Sequence, residues 1–153
     1  MLRMSRLTDY GTVVLAHLAT NESTHVSAAE VAAASGIAFP TVSKLLKSLA
    51  KAKLVHSTRG ARGGYRLARQ PHSISAAEVI DALEGPVSIT ECSASNSQCD
   101  YEHNCNVGNA WQRINIAIRR ALDDISLADL QRTNGPVPHF TLGGIPINVG
   151  RKA

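Results

Sequence analysis

The chain has 153 residues, 44% of them apolar and only 4% aromatic, with 16 Lys+Arg against 12 Asp+Glu for a formal charge of +4. That length suits one compact domain, with room for an appendage. No apolar run reaches the ~20 residues of a membrane helix, and the opening Met1-Leu2-Arg3-Met4-Ser5-Arg6 lacks the apolar stretch of a signal peptide, so a cytoplasmic protein is expected.

The charge is unevenly spread. Residues 1–72 carry ten Lys/Arg and three Asp/Glu, whereas residues 73–153 carry six and nine. A basic first part joined to a mildly acidic second part suits a nucleic-acid-binding module followed by a segment that avoids phosphate.

Apolar Tyr10, Val13, Val14 and Leu18, following Thr8-Asp9, predict a helix over roughly residues 8–20. Ser27-Ala28-Ala29-Glu30 fits a capping box, and the alanine-rich helix it opens stops at Ser35-Gly36. A third helix starts near Pro40, whose missing N–H costs nothing in a first turn, and runs to about Ala52. Val42, Leu45, Leu46 and Leu49 form its apolar stripe, and Thr41, Ser43, Lys44, Lys47, Ser48 and Lys51 cover the rest. Short helix, Gly-containing turn and polar-faced helix make a helix-turn-helix. Leu54–Thr58 and Tyr65–Ala68 then flank the Gly-rich Arg59-Gly60-Ala61-Arg62-Gly63-Gly64, a hairpin placed as a wing.

A second capping box, Ser75-Ala76-Ala77-Glu78, starts a helix ending at Gly85-Pro86. A Ser/Asn/Cys-rich loop to about Asn106 follows, and from Val107 the apolar steps through Trp111, Ile114, Ile118, Ala121, Ile125 and Ala128 predict one long helix with a heptad seam for pairing. The predicted fold is thus mainly α with a small β-hairpin wing: a winged helix-turn-helix domain over 1–72, a cysteine loop and dimerisation helix over 73–132, and a flexible tail over 133–153. Four Gly and three Pro exclude a helix from that tail, although Ile145, Ile147 and Val149 alternate as a docking strand would.

Two constellations could carry function. If the third helix enters the major groove of double-stranded DNA, Thr41, Ser43 and Lys44 can reach base edges while Lys47 and Lys51 meet phosphates. Arg59 and Arg62 of the wing could then enter the narrower minor groove. The second constellation is Cys92-x6-Cys99-x5-Cys105, longer than the knuckles of structural zinc sites. Its spacing leaves an iron-sulfur cluster, zinc with His103 as a fourth ligand, and three unligated thiols all open. His17, His25, His56, His72 and His139 are scattered and suggest no site. No Ser/His/Asp set, phosphate loop or paired carboxylate stands in a catalytic setting, since Asp123-Asp124 falls on the pairing helix; an enzyme is not expected. An iron-sulfur or zinc scaffold or electron carrier, its basic half binding an acidic protein, is the competing class, separated from a DNA binder by salt-dependent duplex binding.

Leu2 through Tyr10, the wing Arg59 through Leu67 and the three-cysteine loop before a long helix together resemble the IscR/NsrR-type family of iron-sulfur winged-helix regulators. The likeness covers about residues 1–131 and is greatest to gammaproteobacterial members that regulate the Suf cluster-assembly system. The resemblance implies a homodimer whose long helices cross, a repressor's role, and a cluster, 2Fe-2S or else 4Fe-4S, on Cys92, Cys99 and Cys105. Some members place a His three residues after the third Cys, where this chain has Gly108; others use an acid at the start of the partner's first helix, where this chain has Asp9. Asp9 is therefore the implied fourth ligand and His103 the reserve.

Overall fold

Serine side chains cap the starts of four of the six described α-helices. The structure, a computed structural model, describes residues 4–21, 24–60, 63–90 and 107–132, together with the backbone of 140–142 and 145–147. Ser5 accepts the N–H groups of Leu7 and Thr8 and so starts α1 (Arg6–Thr20) two residues ahead of its predicted start. The Ser27/Glu30 capping box opens α2 (Ala28–Ser35), which closes on Gly36 at φ +70°. α3 (Phe39–Lys51) carries Pro40 in its first turn. Strands β1 (Val55–Thr58) and β2 (Gly64–Leu67) pair antiparallel, with Val55 opposite Leu67 and Thr58 opposite Gly64. After a 3₁₀ turn at Pro71–Ser73, the Ser75/Glu78 box begins α4 (Ala76–Glu84). This is the predicted winged helix-turn-helix, to which Val26 adds an isolated bridge: its N–H and C=O exchange hydrogen bonds with Tyr65 at 2.9 and 2.8 Å.

The predicted long helix is shorter than its heptad pattern. α5 (Gly108–Asp123) stops before Ile125, and a third capping box, Ser126 with Asp129, restarts the chain as α6 (Leu127–Gln131). The break has a clear cause. The Ile125 carbonyl accepts the Ala76 N–H at 2.8 Å and the Leu127 N–H reaches the Ile74 carbonyl at 2.8 Å, so both backbones are committed to the entry of α4. In the segment expected to be a flexible tail, the backbones of β3 (Phe140–Leu142) and β4 (Ile145–Ile147) pair antiparallel, which matches the strand alternation at Ile145 and Ile147.

Leu15 and Leu18 of α1, Leu46 and Leu49 of α3, Ile74 and Leu127 share one buried core. Each such side chain contributes roughly 1.5–3 kcal/mol through burial. The stripe predicted on α3 is its buried face, and this turns the lysines outward. α1 also crosses α4 closely: a Cβ at Gly11 would collide with Leu83 Cδ1. At the same crossing the Glu84 carboxylate accepts the Ser5 N–H at 3.0 Å and the hydroxyl of buried Thr8.

These carboxylate contacts predict acid sensitivity. Hydrogen bonds from Thr8 and then Ser5 hold Glu84 below the usual carboxylate range. Burial opposes the charge on Glu78, but the Ser75 N–H and Arg69, at 2.7 Å, outweigh it and lower that pKa too. A depressed folded-state pKa gives stability that is complete above the unfolded value of about 4.3 and lost as pH falls through the lower folded value. In thermal melts the wild type should therefore exceed Glu84→Gln at pH 7, and the gap should close towards pH 3. A gap that stays constant with pH would show that Glu84 acts through shape alone.

Candidate nucleic-acid interface and cluster-ligand positions

α3 packs against α1, α2 and α4 through Val42, Leu45, Leu46 and Leu49, which leaves its opposite side at the surface. Lys44, Lys47 and Lys51 are exposed there, with Thr41 and Ser43 half-buried beside them. No described residue forms a salt bridge with any of the three lysines or with exposed Arg59. The described ion pairs lie away from α3 and involve other cations: Glu78 pairs with Arg69, and Asp81 with Arg119, both at 2.7 Å. Burial works against the charge of Arg119, yet Asp81 and then Asp123 raise its pKa. A surface with uncompensated cations on one helix and a hairpin end can lie along a phosphate backbone. Arg62, at the predicted wing tip, lies outside the described residues.

Asp9 stands in the first turn of α1. Its carboxylate is exposed, forms no hydrogen bond or ion pair with any described residue, and shares a shallow recess with Met4, Ser5, Arg6 and Glu84. A surface carboxylate that no described residue engages is a hard oxygen donor open to a further partner. Cys92, Cys99, Cys105 and the reserve ligand His103 lie outside the described residues. Glu84 carries no local signal of its role, because it joins α4 to Ser5 and Thr8, nearly eighty positions earlier.

On α5 none of the residues is buried. Trp111 is 40% exposed and Ile114 44% exposed, and Ala121 extends their face. Ile118 is half-buried and lines a groove with Ile80, Val87 and Leu122. Ile125, predicted on the same seam, is half-buried in the turn between α5 and α6. No helix among the described residues is long and apolar enough to cross a membrane.

A helix-turn-helix whose cationic face is paired by no described residue, followed by a hairpin wing, defines a winged-helix DNA-binding regulator. The family model for Rrf2, an iron-dependent transcriptional regulator, matches residues 4–133, and the chain belongs to that family. Protein rrf2 of Nitratidesulfovibrio vulgaris is 33% identical over 132 residues, spanning 86% of this chain and 88% of that protein. Among solved structures, CymR, the global cysteine regulator of B. subtilis, superposes with a TM-score of 0.67 at 29% identity, covering 88% of this chain and all of that one. T. potens IscR superposes with a TM-score of 0.63 at 32% identity, covering 84% and 85%. The fold and the relatives are those of transcriptional regulators, not enzymes.

Proposed function

We propose that the chain acts as a homodimeric repressor whose affinity for its operator depends on a bound iron-sulfur cluster, and that it controls cluster-assembly genes of the Suf type. Thr41, Ser43 and Lys44 read bases, Lys47 and Lys51 hold the backbone, Arg59 and Arg62 enter the minor groove, and α5 pairs two copies along Trp111, Ile114, Ile118 and Ala121. Cys92, Cys99 and Cys105 of one subunit hold the cluster with Asp9 of the other. The observation that carries this reading is the exposed carboxylate of Asp9, paired with no described residue, on the helix that packs directly against α3. A cluster supplies iron- and oxidant-sensitive coordination, and a ligand set split between subunits makes that coordination a tie between the two reading heads. Two half-sites at fixed spacing then bind a tied and an untied dimer differently.

The test is purification without oxygen, with a visible spectrum and assays of iron and acid-labile sulfide per chain. Matched iron and sulfide are expected, with a 2Fe-2S stoichiometry favoured over 4Fe-4S. Asp9→Ala is expected to lower the iron retained on exposure to air, because the remaining thiolates close only three positions; unchanged retention would pass the fourth position to His103 or to water. Operator affinity of the loaded wild type should differ from that of Cys92→Ala, and equal affinities would sink the switch. A colourless protein would leave a winged-helix DNA binder whose cysteine loop is structural or directly thiol-reactive, and the cluster switch would be wrong.

A further inference from the structure

We infer that Phe39 is a specificity-determining residue that reads the 5-methyl group of thymine in the major groove; this rests on α3 being the reading helix. Phe39 is the first residue of α3 and is 52% exposed. It is the only exposed large hydrophobic side chain among the described residues of 24–90. The core does not require it, because the buried face of α3 is complete with Val42, Leu45, Leu46 and Leu49. Leaving a phenylalanine in water forgoes the gain of burying it, so an outward position is explained best by something that covers it.

The surroundings say what covers it. Residues four apart on a helix form one ridge, and Phe39, Ser43, Lys47 and Lys51 stand on such a ridge. The ridge runs from an apolar end, through a hydroxyl, to two cations that no described residue pairs. A protein partner burying Phe39 would have to desolvate those lysines, whereas a polyanion pairs with them. In duplex DNA the phosphates suit the cationic end. The major-groove base edges present mainly hydrogen-bonding groups, and the thymine methyl is the one methyl group among them, the apolar feature best suited to a phenyl ring. A recognition helix reaches base edges with its N-terminal residues, which is where Phe39 stands.

The experiment uses the full-length protein and operator sequences selected from a random duplex library. Each thymine is replaced in turn by deoxyuridine, which removes the methyl and nothing else, and Kd is measured at fixed salt for the wild type, Phe39→Ala, Phe39→Leu and Lys47→Ala. One thymine per half-site is expected at which uridine weakens the wild type about fourfold, the value of one buried methyl-sized group. Phe39→Ala should lose that discrimination, and Phe39→Leu should keep much of it. If uridine costs the wild type and Phe39→Ala equally at every position, or costs neither anything, the assignment is overturned. Lys47→Ala separates this failure from failure of the α3 reading: it should weaken all duplexes alike and flatten the salt dependence, and an unchanged affinity would remove α3 from the groove and Phe39 with it.

Discussion

Gly64→Ala is expected to destabilise the protein by about 2–4 kcal/mol, from backbone strain together with overpacking. Gly64 holds φ +155°, which L side chains rarely adopt, and a Cβ there would stand 2.8 Å from the Val26 carbonyl oxygen. Val26 cannot yield cheaply, because both of its backbone groups are bound to Tyr65, the residue adjacent to Gly64. The chain between α1 and α2 passes over β2 at backbone distance, and only a residue without a side chain leaves room for it. Gly36→Ala is the control: φ is +70°, but nothing lies within 4 Å of the added carbon. It should cost only the left-handed backbone penalty of about 1–2 kcal/mol. Urea unfolding of the two variants measures the difference. Equal midpoints would mean that the crowding at Val26 is absorbed without loss. Operator affinity of Gly64→Ala should also fall by more than stability explains, because Arg59 extends from the paired strand.

The contrast between these glycines shows how far the sequence can be read. Gly36 is legible as a helix stop, since a local backbone rule accounts for it. Gly64 is legible only as part of a Gly-rich turn; its place inside β2 and its contact with Val26 depend on tertiary packing. The capping boxes at Ser27 and Ser75 follow from spacing, because each is closed within four residues. The third box, Ser126 with Asp129, has the same two-way capping but is hidden beneath heptad steps that continue in phase across the break. Periodicity alone cannot register a helix that stops and restarts on the same face. Ser5 is masked as the cap of α1 because Thr8-Asp9 offers a second start signal three residues later.

The candidate site divides in a similar way. Outward lysines on α3 follow from its apolar stripe, so they are readable from the sequence and stand exposed in the structure. The role of Glu84 is not readable, because its partners stand nearly eighty positions earlier in the chain and meet it only once α1 and α4 cross. Its position gives the proposed switch a mechanical route. The same carboxylate that ends α4, just before the cysteine loop, fixes the first turn of α1 where Asp9 stands. α1 in turn packs on α3, so a displacement of that first turn would bear on the helix proposed to read DNA.

Ile114→Asp is expected to convert a dimer into a monomer and to lower affinity for a two-half-site operator about 100-fold or more. Ile114 is 44% exposed on α5, beside Trp111, and belongs to no part of the core. An apolar ridge of this kind on a helix without a buried residue is stabilised only when another surface covers it. In a two-fold arrangement each substitution appears twice, so two carboxylates would be forced together in a desolvated seam. Losing the second reading head removes the effective concentration that binds the second half-site, which is worth about 10²–10⁴ in affinity. Ile116→Asp provides the comparison, since Ile116 is similarly exposed, at 48%, but lies about 200° around the helix from Ile114. Sedimentation should give a monomer for the first variant and a dimer for the second. Both should bind a single half-site duplex with one affinity, because neither change touches α3. A dimer that survives Ile114→Asp would move the pairing surface away from Trp111 and Ile114, and with it the requirement that Asp9 and the cysteines meet across that seam.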